Sequence, residues 1–306
     1  MSKPKIVVVG SSNTDMIIKS RRIPSPGETI VGGVFATAPG GKGANQAVAA
    51  ARAGGDVLFV ARVGRDMLGD QAVAGFEREG IDVSKIFHDS TNASGVALIM
   101  VDDAGQNSIS VALGANDALS PEDVSDAADA IKNADALVVQ LETPLETVER
   151  AVKLAHKNGV LVILDPAPAP GAPLPQGIIE NVSVIKPNET EASQLTGIEV
   201  TDESSAARAA EKLLALGVET AIITLGANGS YVATRDGIRT MTPSRRVQAV
   251  DATAAGDAYS GALAVALAEG RSIVDAVEFA TKAAALSVQK LGAQPSLATR
   301  EEIEKF

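Results

Sequence analysis

Residues 249–262 read AVDATAAGDAYSGA. Two carboxylates, Asp251 and Asp257, stand six positions apart, with only Ala252, Thr253, Ala254, Ala255 and Gly256 between them. The chain then turns apolar with helical spacing, AYSGALAVALAEG. A helix that begins near Ala255 leaves the amides of residues 254–257 without intrahelical partners. Its dipole adds partial positive charge there, and small side chains let an anion approach the backbone. Ala254, Ala255 and Gly256 therefore make a candidate anion hole. Asp257 beside it is placed to take a proton from a hydroxyl attacking a phosphoryl group. The competing structural reading is a plain acidic first turn. Asp251 fits either a cap or a cation ligand.

Four further stretches carry polar groups at places where ligands bind. In GSSNTDMII (10–18), Asn13 and Asp15 follow the first apolar run. Ligands of open α/β sheets collect outside the strands' carboxyl ends, and an amide beside a carboxylate suits sugar hydroxyls. Glu142 in VVQLETP occupies the same kind of position. In APGGKGANQAVAAARAGG (38–55), Gly40, Gly41 and Gly43 form a turn before a helix. The spacing matches neither GxxxxGK[ST] nor a GxGxxG after a strand. The turn lets amides touch a polyhydroxy ligand, with Asn45 adding its own amide, or it is simply a tight turn. In VIKPNETEA (184–192), Asn188 and Glu191 suit Mg²⁺ or its waters, and equally suit a capping box. In ITLGANGSYV (223–232), Thr224, Gly226 and Gly229 let a nucleotide lie against backbone.

Other chemistries fall away. The chain has 306 residues and no cysteine, which removes thiolate catalysis, disulfides and Cys-based zinc sites. His88 reads as part of a polar loop and His156 as an exposed helix position, without metal-ligand spacing or a Ser-His-Asp partner set. Met67, Met100 and Met241 read as packing residues. The formal charge of −11 argues against nucleic acid and anionic membranes as partners. No stretch has membrane-spanning length, and the first residues do not resemble a signal peptide. The expectation is a soluble cytoplasmic protein.

The elements that must position these residues follow from periodicity. Apolar runs at Ile6–Val9, Val57–Val60, Leu137–Leu141, Val160–Leu164, Val182–Ile185 and Ala221–Thr224 read as strands buried on both faces. Amphipathic stretches at Ala44–Ala53, Gln71–Glu79, Pro121–Lys132, Leu145–Lys157 and Glu203–Leu216 read as helices between them. Asp257–Glu269 and Ile273–Leu291 close the chain as helices. The alternation predicts an α/β fold with a doubly wound, mostly parallel sheet and helices on both faces. Asp15–Lys19, Thr29–Ala38, Gly95–Val101 and Ser108–Leu113 lack intervening helices and read as a small separate sheet, or as an extension of the main one. Its open face would cover a ligand or a second copy of the chain. The proline-rich 165–177 reads as a rigid loop.

Taken together, GSSNTD, PSPGET, PGGKGANQA, QLE, KPNETEA, ITLGANG, VDATAAGDAYSGAL and GAQPS occur in one order along nearly the whole chain. This resembles the ribokinase, or PfkB, family of carbohydrate kinases. The resemblance implies a single ribokinase-like domain over 1–306, with a β lid from about 12–19, 29–38, 95–101 and 106–113, often shared across a homodimer. It implies transfer of the ATP γ-phosphoryl to O5 of D-ribose. Asp257 would be the base, and the amides of Ala254, Ala255 and Gly256 the anion hole. Asn13, Asp15, Gly41, Lys42, Asn45 and Glu142 would hold the sugar. Asn188 and Glu191 would organise Mg²⁺ and phosphates, and Thr224, Gly226, Gly229 and Thr281 would line the nucleotide. A monovalent cation, K⁺, would bind Asp251, Thr253, Ser287, Lys290, Gly292 and Ser296. Close members commonly carry threonine where this chain has Ala252, and often histidine where it has Thr281. Deoxyribose, fructose and nucleoside kinases share the scaffold. A sugar-binding relative without activity would also keep it.

Overall fold

Strand β1, Lys5–Val9, is an unbroken apolar run after its exposed first residue, because both its faces are covered. Ile6 and Val8 pack into one core, Val7 and Val9 into a second on the opposite face. Strand side chains alternate, so one strand feeds both layers. The computed structural model describes residues 2–169 and 171–306. After β1 come β2 (Asn13–Lys19), β3 (Val34–Gly40), β4 (Asp56–Gly64), β5 (Asp82–Asp89), β6 (Gly95–Val101) and β7 (Asn107–Ala112). Then follow β8 (Ala136–Val139), β9 (Leu161–Leu164), β10 (Val184–Ile185), β11 (Thr220–Thr224), β12 (Ser230–Thr234) and β13 (Arg239–Thr242).

Nine strands form the main sheet in the order β13-β12-β11-β10-β9-β8-β1-β4-β5. Every pair from β11 to β5 is parallel; β12 and β13 add an antiparallel edge. Helices cover both faces, as expected from the alternating sequence. Between β4 and β8, strand β1 marks the point where the strand order reverses, and its carboxyl end opens a crevice there.

Two helices matter most to that crevice. Ala255–Ala268 is buried from Asp257 through Ala266, so its composition is apolar all round. It crosses helix Lys42–Arg52 at Gly261. A Cβ there would lie 2.6 Å from Ala49 Cβ, 2.7 Å from Ala50 N and 2.8 Å from Gln46 O. The crossing is close only because residue 261 has no side chain. Gly261→Val should cost about 1–3 kcal/mol by overpacking, read as a lower urea midpoint. It should also lower kcat, because the crossing brings Asn45 and Gln46 to Asp257. An unchanged midpoint would show that the crossing has slack.

The four remaining strands form a second sheet, ordered β3-β2-β6-β7. It is separate from the main sheet, as its helix-free pairing predicts. Ile18, Val34, Phe35, Leu98, Ile109 and Val111 are exposed on it.

Several boundaries differ from the sequence reading. The strand expected over 29–38 forms only from Val34 to Gly40, because Gly32 adopts φ 100 and Val31 is exposed. The helix expected over 121–132 breaks at Ala127 into Pro121–Asp126 and Ala128–Lys132. The last long helix stops at Ser287, not Leu291, since Val288 O is taken by the amides of Val250 and Asp251. His88 lies on β5, not in a loop. That edge strand mixes charged and apolar residues and so lacks the apolar run of a central strand. Met67 opens helix Met67–Arg78 and is 68% exposed, so it is not a packing residue. The proline-rich loop contains Pro170, which lies outside the described residues.

Candidate active site

Asp257 is buried in the first turn of helix Ala255–Ala268. Its Oδ2 accepts from Asn45 Nδ2 and its Oδ1 from Gln46 Nε2, each at 2.9 Å. Two amides thus hold both carboxylate oxygens. Burial pushes its carboxyl up; Lys42 opposes this, Asp165 adds to it, and Gln46 and Asn45 oppose it through their hydrogen bonds. A base with a raised pKa is suited to proton transfer near neutrality.

The helix starts at Ala255, as expected, after Ala254 in a left-handed conformation, φ 60. A non-glycine residue there stores backbone strain of order 1 kcal/mol. Ala255 N donates to Ala252 O at 3.2 Å. The amides of Ala254, Gly256 and Asp257 have no backbone partner among the described residues. Of the four amides, 254–257, expected to lack partners, Ala255 alone is engaged in the turn. A Cβ on Gly256 would meet only Lys186 Nζ, at 3.5 Å. No group among the described residues needs a glycine here, so the space before it is open to a ligand.

These groups face a cavity of about 770 Å³. Lys42, Asn188, Glu191, Thr224, Gly226, Gly229, Thr281 and residues 254–257 all line it. Sequence candidates from five separate segments converge on one space. Asn188 and Glu191 do form a capping box: Asn188 Oδ1 accepts from Glu191 N, and Glu191 Oε2 from Asn188 N, both at 2.9 Å. The other Glu191 oxygen has no partner among the described residues. Burial raises the Glu191 carboxyl, Asp165 adds to this, and the Asn188 amide, Lys186 and Lys42 oppose it. Gly226 and Gly229 have φ 51 and φ 99, which the turn after β11 requires. Thr281 Oγ1 donates to Val277 O at 2.8 Å.

The sugar candidates other than Lys42 do not line this cavity. They form an adjoining polar group at the base of the small sheet. Asn13 and Asp15 lie on β2, which starts two residues before the strand expected from Asp15. Gly41 precedes helix Lys42–Arg52 with φ 90. Glu142 Oε2 accepts from Ser11 Oγ at 2.5 Å and Lys42 N at 3.0 Å. Asp15 lies over Gly40, where a Cβ would overlap its carboxylate. Burial and the charge of Glu142 push the Asp15 carboxyl up to about 6. Asn45 Oδ1 is buried without a partner among the described residues. Burial works against the Lys42 charge, but Asp257, Asp165, Glu142 and Glu191 outweigh it and raise its pKa.

The cation candidates gather apart from the cavity. Asp251 Oδ1 accepts from Thr253 N and Thr253 Oγ1, at 2.9 and 2.6 Å, and Oδ2 from Gly292 N at 2.9 Å. This joins the 251–253 and 287–292 segments. Because the helix ends at Ser287, its last carbonyls lack intrahelical partners. Lys290 directs Nζ to Glu302, so only its carbonyl could face an ion. Ser296 is buried and donates to Ala293 O at 2.7 Å.

Four residues escaped the sequence reading. Gln46 Nε2 donates to Asp165 Oδ2 at 2.7 Å as well as to Asp257, and Gln140 Nε2 donates to Gln46 Oε1 at 2.8 Å. Lys186 Nζ lies 3.3 Å from Asp165 Oδ1, with both side chains 3% exposed. Asp165 and Lys186 directly follow β9 and β10, the rule that singled out Glu142. That rule could have found them.

The pfkB family carbohydrate kinase model matches residues 3–300. Ribokinase of Haemophilus influenzae is 45% identical over 98% of this chain and 97% of its own length. Deoxyribokinase of Salmonella typhi is 37% identical over 98% of each. The solved structure of Arabidopsis thaliana ribokinase, complexed with ribose and ATP, has TM-score 0.92 and 34% identity, covering 99% of this chain and 98% of its own. The resemblance carried by the motifs is borne out over nearly the whole length: this chain belongs to the pfkB family of carbohydrate kinases.

Proposed function

We propose that the protein phosphorylates D-ribose at O5 with ATP, giving D-ribose 5-phosphate and ADP. The observation that carries this is the buried Asp257, held by Asn45 and Gln46 beside free amides that open onto a cavity large enough for a nucleotide. Asp257 takes the proton from O5. O5 bonds to the γ-phosphorus as the bond to the β–γ bridging oxygen breaks. The amides of Ala254, Gly256 and Asp257 stabilise the charge on the transferring group, and Ala255 joins them if it leaves Ala252. Donors already fixed in place do this without reorganising. Asn13, Asp15, Gly41, Lys42, Asn45 and Glu142 hold the sugar, and Asn45 Oδ1 is an acceptor left for a hydroxyl. Thr224, Gly226, Gly229 and Thr281 line the nucleotide.

Among the described residues no three His, Cys, Asp or Glu side chains form a metal cluster. Mg²⁺ usually keeps waters and uses one or two carboxylates plus phosphates. Glu191, with one free oxygen on the cavity, and Asn188 fit that role, in which the ion would neutralise phosphate charge. Asp251 and Thr253, with carbonyls of Ser287, Lys290 and Gly292 and with Ser296, are an oxygen-rich set that fits K⁺. An ion there would rigidify the turn that carries the amides.

ADP release with MgATP and D-ribose, with and without K⁺, tests the reading; 2-deoxyribose and nucleosides serve as competitors. Turnover with 2-deoxyribose but not ribose would keep the chemistry and move the substrate. Ribose binding without turnover would overturn it.

A carboxylate accepts from hydroxyls only when ionised. With Asp15 at about 6, the ribose KM should rise as pH falls through that value and level off above it. Asp15→Asn should have a high KM without that limb. A flat wild-type profile between pH 5 and 8 would remove Asp15 from the sugar site.

The small sheet acts as a lid, and its exposed apolar side chains, Ile18, Phe35 and Leu98 on one face and Val34, Ile109 and Val111 on the face that carries Asp15, pair with a second copy in a homodimer. Exposed apolar faces of this kind mark interfaces. Gel filtration should give a dimer mass; a monomer across micromolar concentrations would exclude it. No helix among the described residues is long and apolar enough to cross a membrane.

A further inference from the structure

Asn116 is fully buried in the turn Gly114–Ala118, where the chain returns from the small sheet. Backbone atoms alone orient its amide. Oδ1 accepts from Ser12 N at 2.8 Å, a group that can only donate. Nδ2 therefore faces the carbonyls of Ser12 and Leu113, at 3.2 and 2.9 Å, which only accept. The same Nδ2 lies 2.8 Å from Asn13 Oδ1. Asn13 must turn its acceptor to Asn116, which leaves its Nδ2 to point elsewhere. That Nδ2 has no hydrogen-bond partner among the described residues.

A third residue is shaped around this bond. A Cβ on Gly95 would overlap both Asn13 Oδ1 and Asn116 Nδ2. Ser12, Gly95 and Leu113 are also where the chain passes between the two sheets. Ala115 N donates to Ala93 O at 2.8 Å beside them.

We propose that Asn116 is a positioning residue for sugar recognition: it locks the Asn13 amide so that a donor, Nδ2, faces the sugar beside the Asp15 acceptor. One donor next to one acceptor complements a pair of hydroxyls. The inference rests on Asn13 and Asp15 holding the sugar, as proposed above.

Asn116→Asp tests it. The carboxylate still accepts from Ser12 N, but its second oxygen, when ionised, meets Asn13 Oδ1 and the carbonyls of Ser12 and Leu113, so the assay is run at alkaline pH, where the acid is ionised. Asn13 must turn over, and its acceptor then faces the sugar. The ribose KM should rise roughly ten- to a hundredfold, while kcat and the ATP KM move by less than about threefold. In an Asn13→Ala background the same change should leave the ribose KM unaltered. Any loss of Tm should appear in both backgrounds, which separates packing from positioning. An equal rise in KM in both backgrounds, or no rise in the wild type, overturns the proposal. If Asn13→Ala alone leaves the ribose KM unchanged, the sugar assignment fails and this proposal falls with it. Should Asn116→Asp not fold, Gly95→Ala breaks the same bond, and a normal ribose KM there is equally decisive against it.

Discussion

Asp257→Asn lowers kcat for sugar phosphorylation by roughly 10²–10⁴-fold, the range for a positioned general base. KM for sugar and ATP should stay within a few fold. The substitution is nearly isosteric. Its oxygen can accept from one of Asn45 and Gln46, so the cost falls on one of two hydrogen bonds. What disappears is the ability to take a proton. Free amides at the helix start and the aligned substrates remain, which accounts for residual turnover. The pH dependence carries the same information. The Asp257 carboxyl lies above the usual carboxylate range, chiefly through burial. Protonated, it cannot act as a base. Wild-type kcat should therefore fall as pH falls, with a midpoint above that range, and the asparagine variant should lack the limb. Rapid ADP release by Asp257→Asn would remove the residue from the chemistry.

Lys186→Met should destabilise the fold by about 3 kcal/mol, the lower end of the range for breaking a buried ion pair. Methionine keeps most of the lysine's volume, so lost packing is minor. The penalty comes from Asp165, left charged and enclosed. Asp165 retains hydrogen bonds from Gln46 and Ser260, at 2.7 and 3.3 Å, and Lys42 remains near; these hold the cost below the upper end. Urea denaturation measures it. Adding Asp165→Asn to Lys186→Met should recover much of the loss, because no unpaired charge then remains. A single variant as stable as the wild type would show that the pair does not contribute. A double variant no better than the single would assign the loss to packing.

Much of the fold was legible because its signals are local. The apolar run of β1 and the exact match at Leu145–Lys157 and Glu203–Leu216 reflect periodicity, which neighbouring residues alone create. Edge strands β5 and β13 were not legible. Half-exposed, they carry charged residues that erase the pattern. Helix ends moved where a tertiary hydrogen bond took over, as Val288 O does with Val250 and Asp251.

The candidate chemistry was readable along the chain: Asp257 at a helix mouth, small residues before it, and polar groups after strands. These depend on residue type and spacing along one segment. What those groups touch depends on how distant segments pack. Gln46 reaches Asp257 across 211 positions and Asp165 across 119; Asn116 reaches Asn13 across 103. Such partners are set by the Gly261 crossing and by the passages between the two sheets. A side chain's hydrogen-bond partner is a property of packed elements, and no local pattern records it.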